Sequence, residues 1–272
     1  MDKKTLLRNK KLFLFDMDGT LYLGDRLFDF TQELLDCLRR SGRNYLFLTN
    51  NSSKSVDDYI LKLGKLGIEA KREDFMTSSQ ATSYYLKQKH PGKTLYVCGT
   101  ASLRRELEQA GFCVTESVED AQCIVMGFDT ELTFRKLWDV SYLLTTREDI
   151  PYIATNPDYV CPTEFGFVPD CGSVCDMIFN ATGKRPVVIG KPSALMPRLA
   201  MEQLGIAPEE TAVVGDRIYT DVKCGLNAGI TGILVMSGET TPEILERSDD
   251  KPDLVLQDAG EILDALRQEC QC

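Results

Sequence analysis

Short, continuously apolar runs alternate with amphipathic stretches along almost the whole chain, and few folds accommodate that rhythm. The runs LFLF (12–15), NYLFLTN (44–50), TAVVGD (211–216), TGILVMSG (231–238) and PDLVLQD (252–258) have little polar alternation. They read as strands buried on both faces, as in a parallel sheet. Between them, FTQELLDCLRRSG (30–42), SVDDYILKLGKLG (55–67) and ALMPRLAMEQLG (194–205) carry helical spacing, with Ser55 as a cap and Gly42 as a stop. This alternation predicts an α/β fold: a doubly wound, parallel, Rossmann-like sheet wrapped by helices on both faces.

The middle of the chain repeats the rhythm on its own account, in TLYVCG, CIVMGFD, FRKLWDVSYLLTT, PYIATN and GSVCDMIFNATG. It reads as a second α/β domain inserted into the first. The expected division is 1–78 and 189–272 for the two parts of the core, and 79–188 for the insert. Trp138 and the leucines around it sit at helical spacing, which predicts that they form the insert's core.

Charge narrows the function. With 41 acidic against 31 basic side chains the net charge is −10, which argues against nucleic acid or a membrane surface as partner, since both are polyanions. An anionic small molecule must then be met by a local positive group. No run approaches the roughly 18 apolar residues that cross a bilayer, and the N-terminus lacks the features of a signal peptide. The expectation is a cytoplasmic protein. The ten cysteines are scattered through apolar runs without a CxxC pair, and there is one histidine. That pattern predicts reduced, buried thiols and no structural zinc. Cys171 and Cys175, and the terminal CQC, are the places where oxidation is conceivable.

In a doubly wound sheet, ligands gather at the carboxyl ends of the strands. Asp16 ends the first strand, with Asp18 two residues on; Thr49 and Asn50 end the second; Asp216 ends TAVVGD. Carboxylates placed together at a strand end raise each other's pKa and are costly to desolvate. A divalent cation offsets both costs, and magnesium takes a few carboxylates while leaving positions for water and phosphate. Gly19 permits a tight turn beside them. One aspartate can attack phosphorus, the other can move the proton, and Thr49, Asn50 and Lys191 can receive phosphoryl oxygens. Arg217 either assists this site or pairs with Asp221 or another carboxylate.

The segments DMDGTLY, LTNN, GKP and VGDRIYTD together resemble the four signature motifs of the haloacid dehalogenase-like phosphohydrolases. The resemblance implies that Asp16 is the nucleophile and Asp18 the general acid/base. It implies a magnesium ion held by Asp16, the Asp18 main-chain carbonyl and Asp216. Thr49, Asn50, Asn51 and Lys191 would bind the phosphoryl group, Asp221 would orient Lys191 or the metal's water shell, and Gly19 would stand next to the ligating residues. Little chain separates DGTL from the next helix, so the insert is a cap placed between Asn50 and Lys191. MGFDTELTFRKL (126–137) and YIATNPDYVCPTEFGFVPDCGS (152–173) resemble the cap of the NagD-like, p-nitrophenyl phosphatase branch, where Asn156, Asp158 and Asp129 would face substrate. The implied activity is magnesium-dependent hydrolysis of a small phosphomonoester, a sugar phosphate, nucleotide or similar, through an aspartyl-phosphate. A homodimer through the cap also follows from the resemblance. A phosphometabolite-binding regulator with residual hydrolysis stays open, because motifs do not set a turnover rate.

Overall fold

The structure is a computed structural model that describes residues 2–163 and 165–267. The terminal CQC lies outside the described residues. The chain divides into two compact units: 1–49, 60–76 and 191–272 in the first, 50–59 and 77–190 in the second. The expected insert began at 79; the second unit begins at 77 and also takes the short segment 50–59. That segment is held by distant residues of its own unit. Ser52 Oγ lies 2.8 Å from Thr155 Oγ1, and the Val56 N–H donates to Glu106 Oε2 at 3.1 Å.

The first unit is built on a six-stranded sheet. Its spatial order is Leu254–Leu256, Thr231–Val235, Thr211–Gly215, Leu12–Phe15, Asn44–Thr49 and Phe75–Thr77. Leu12–Phe15 pairs in parallel with both neighbours, Phe15 standing opposite Val214 on one side and Phe47 on the other. All four residues of Leu12–Phe15 and all five of Thr211–Gly215 are buried, as strands covered on both faces require. Helices Lys3–Arg8, Thr31–Arg40 and Gly260–Leu266 pack together, while Lys223–Ala228 packs on Leu195–Leu204 and the strand Thr231–Val235. Because the strands run parallel, the residues that follow Phe15, Leu48 and Gly215 all emerge at one edge.

The second unit has its own parallel sheet, ordered Val187–Val188, Tyr152–Ala154, Cys123–Met126, Leu95–Cys98 and Val114–Thr115. Its core joins Ile124, Met126, Val140, Leu143, Leu144, Ile178 and their neighbours. Trp138 is not in it. The helix Phe134–Thr146 turns Val140, Leu143 and Leu144 inward and leaves Phe134, Trp138 and Tyr142 exposed. Helical spacing had drawn two apolar stripes on one helix, and the aliphatic one won the core. Among the described residues, no helix is long and apolar enough to cross a membrane. Cys98, Cys123, Cys171, Cys175 and Cys224 are buried free thiols. Cys37 corrects the expectation of reduced cysteines, being disulfide-bonded.

Candidate active site

Asp16 follows directly from its strand, its N–H donating to the Val214 carbonyl at 2.8 Å. Asp216 follows Gly215 on the adjacent strand. Lys191 reaches between the strand ends from a buried position. Its Nζ lies 2.5 Å from Asp16 Oδ1 and 2.6 Å from Asp221 Oδ1, and donates to the Leu48 carbonyl at 3.3 Å. Asp221 spends its second oxygen on the Arg217 N–H at 3.1 Å. Both of its oxygens are therefore engaged, and it shares the Lys191 ammonium with Asp16.

The charge balance is unequal. Asp16, Asp216 and Asp221 bring carboxylate oxygens within 4.8 Å of one another, with one buried ammonium among them. Burial pushes the Asp16 carboxyl up to about 6, against the pull of Lys191. Burial, then Asp16 and Asp221, push Asp216 up to about 7. Burial opposes the charge on Lys191, but Asp16 and Asp221 outweigh it and hold its pKa above the ordinary lysine range.

Asp216 carries the decisive irregularity. Its Oδ2 accepts from the Glu239 N–H at 2.7 Å. Its Oδ1 is buried and has no hydrogen-bond partner among the described residues. An unsatisfied buried carboxylate oxygen costs more than almost any other polar defect. Hard oxygen donors converging on such a point suit a divalent cation. The backbone is shaped to the same spot. A Cβ on Gly19 would stand 2.5 Å from Asp216 Oδ2, and Gly19 has a φ of +82°, so glycine is required there twice over.

Asp18 stands apart from the three converging carboxylates. Its side chain is 49% exposed, with Oδ2 4.0 Å from Lys62 Nζ and Oδ1 accepting from the Gly24 N–H at 3.3 Å. Lys62 in turn lies 4.3 Å from the centre of the Tyr22 ring. The Asp18 carboxylate is thus accessible and oriented, but it is not a member of the cation cluster.

Two comparisons with known proteins decide the family. Models of haloacid dehalogenase-like hydrolases match residues 13–113 and 188–262. The acid sugar phosphatase of Staphylococcus haemolyticus is 33% identical over 265 residues, covering 97% of this chain and 100% of that protein. The chain is a haloacid dehalogenase-like hydrolase. Among solved structures, a 4-nitrophenylphosphatase from Thermotoga maritima superposes with a TM-score of 0.91 at 40% identity, covering 96% of this chain and 99% of that one. A glycerol phosphate phosphatase from Mycobacterium tuberculosis, solved in complex with magnesium, gives 0.87 at 27% identity, covering 98% of this chain and 78% of that one. These likenesses place this haloacid dehalogenase-like hydrolase in the NagD-like, p-nitrophenyl phosphatase branch.

Thr49 ends its strand, buried, at the edge that carries Asp16. Asn50 belongs to the second unit and donates from Nδ2 to Asp158 Oδ1 and Oδ2 at 3.2 and 3.1 Å. Asn51 Oδ1 accepts from the Ser53 N–H at 3.0 Å and from its hydroxyl at 2.7 Å. Asn156 donates to Asp158 at 3.3 Å and to Asp170 at 3.2 Å. Asp129 pairs with Lys136 at 2.7 Å and accepts from the Glu131 N–H at 2.9 Å. Asn156, Asp158 and Asp129 are buried within their own unit. Each of these three side chains has polar partners within its own unit. Arg217 pairs with a carboxylate, its Nε lying 2.7 Å from Glu239 Oε2. Sequence reading missed the segment Ser237–Glu239, which touches both acidic loops. Ser237 Oγ donates to the Gly19 carbonyl at 2.7 Å.

Proposed function

We propose that this protein is a magnesium-dependent phosphatase that hydrolyses a small phosphomonoester, with sugar phosphates as the leading substrate class, through an aspartyl-phosphate on Asp16. One observation carries the reading: the unpartnered Asp216 Oδ1 lies in the same cluster as the Asp16 carboxylate, which the buried ammonium of Lys191 grips. Asp16, the Asp18 main-chain carbonyl and Asp216 would hold the magnesium. Bound there, it would supply positive charge to the transferring phosphoryl oxygens. Thr49 and Lys191 would bind the phosphoryl group from the protein side.

The Asp16 carboxylate would attack phosphorus as the ester oxygen departs with a proton from Asp18. Water would then lose a proton to Asp18 and attack the same phosphorus, releasing inorganic phosphate and restoring Asp16. Lys191 fixes the attacking oxygen, and Asp221 keeps Lys191 in place. The accessible carboxylate of Asp18 suits a group that exchanges protons with leaving group and water in turn.

A magnesium-supplemented screen of phosphomonoesters, with Asp16→Asn as blank, tests the reading. Turnover in the wild type, lost in EDTA and in the blank, is expected. A protein that binds phosphomonoesters tightly and turns over none would instead be a sensor.

The same cluster sets a pH dependence. With no cation bound, Asp16 and Asp216 titrate near 6 and 7 when folded, against 3.8 as the ordinary value. Between about pH 4 and 7 the folded state therefore holds protons that the unfolded chain has released. Stability of the metal-free protein falls as pH rises through that window. Cation binding to the ionised pair opposes the loss. At a hundredfold excess over Kd, magnesium should raise Tm by roughly 5–10 °C at pH 8, and far less at pH 5. Equal shifts at the two pH values in differential scanning fluorimetry would contradict the assignment.

A further inference from the structure

We propose that Ser237–Thr240, the loop after the strand Thr231–Val235, is a clasp that aims the Asp216 carboxylate, and that Glu239 is its catch. The inference rests on the metal reading of the site given above, and assigns a positioning role to residues outside the four signature motifs.

The clasp grips both acidic loops through its main chain and one hydroxyl. The Glu239 N–H caps Asp216 Oδ2 at 2.7 Å. The next amide, of Thr240, donates to the Asp216 carbonyl at 3.2 Å. Ser237 Oγ donates to the Gly19 carbonyl at 2.7 Å, tying in the loop that carries Asp16 and Asp18. Gly238 lies so close that an added Cβ would stand 2.0 Å from Asp216 Oδ2. One oxygen of Asp216 is thereby fixed by the protein, and the partnerless Oδ1 is left for the cation.

A main-chain amide aims a carboxylate only as well as its own loop is held. Glu239 supplies that hold. Its Oε2 lies 2.7 Å from Arg217 Nε, and its Oε1 accepts from the Tyr219 hydroxyl at 2.7 Å. Arg217 follows Asp216 directly, and Tyr219 stands in the short π-helix Ile218–Val222 that comes next. The catch therefore closes a ring: Asp216 is bound by the Glu239 main chain, and the Glu239 side chain by residues just beyond Asp216. Partners of a metal ligand that orient it commonly change metal affinity by 10–100-fold when removed.

Glu239→Ala should weaken Mn2+ binding to the substrate-free protein by about tenfold, read from the free-Mn2+ signal in electron paramagnetic resonance. Turnover should fall at limiting metal and recover as metal is raised, a pattern that a general loss of fold does not produce. Glu239→Gln keeps an acceptor for Tyr219 and should recover part of the affinity. Tyr219→Phe removes an exposed hydroxyl and should weaken Mn2+ binding by a smaller factor; it serves if the alanine variant does not fold. Unchanged Mn2+ affinity in folded Glu239→Ala, or in Tyr219→Phe should the alanine variant not fold, would overturn the clasp while leaving the metal site intact. Failure of the wild type to bind Mn2+ would overturn the metal reading and the clasp with it.

Discussion

Replacing Asp16 with Asn should abolish turnover while leaving the fold in place. The amide has the shape of the carboxylate but lacks its charge and its nucleophilic oxygen, so the covalent step has no beginning. Loss of a nucleophile commonly costs on the order of 10⁴-fold or more in turnover. Stability should change little, because two effects oppose. Lys191 loses its contact at 2.5 Å with Asp16. The burial that pushes the Asp16 carboxyl up to about 6 no longer acts on a charge. Lys191 also keeps Asp221 at 2.6 Å. Rates within tenfold of wild type would mean that another group attacks.

Lys191→Met should damage both stability and rate. Lys191 is almost fully buried, and its ammonium has oxygen partners on Asp16, Asp221 and Leu48. Methionine fills the volume but supplies no charge. Asp16, Asp216 and Asp221 would then crowd within 4.8 Å with no buried ammonium among them. Breaking a buried pair by removing one partner costs about 3–5 kcal/mol, or roughly 10 °C in Tm for a chain of this size. The rate should fall about 10³-fold, as when one fixed donor to a developing charge is lost. Magnesium should recover part of the Tm, since it too neutralises the carboxylates, but little of the rate. A variant as stable and active as wild type would remove Lys191 from the account.

The core fold was legible because strands buried on both faces must be continuously apolar, and LFLF is found as the strand Leu12–Phe15 with no polar break. The same logic brought Asp16 and Asp216 together, since parallel strands deliver their ends to one edge, whereas Lys191 was legible only through the GKP motif. What escaped had no side-chain signature. The Glu239 contact to Asp216 comes from a main-chain amide, which every residue except proline offers. Segment 50–59 joins the second unit through partners such as Thr155, 103 positions from Ser52. The hydrogen bonds from Asn50 to Asp158 and from Asn156 to Asp170 could not be read from the Asn-Pro-Asp segment, because they join residues 108 and 14 positions apart. Trp138 looked like core because periodicity identifies a stripe without saying which of two stripes faces inward.

The most direct measurement is a rapid acid quench of Asp18→Asn mixed with magnesium and p-nitrophenyl phosphate, whose leaving oxygen departs without a proton, followed by mass spectrometry of the peptides. Without the Asp18 carboxylate to activate water, the intermediate should accumulate, and the account predicts one phosphoryl group per chain, located on Asp16. A phosphoryl group on any other residue, or rapid turnover in this variant with Asp16 never modified, would contradict it.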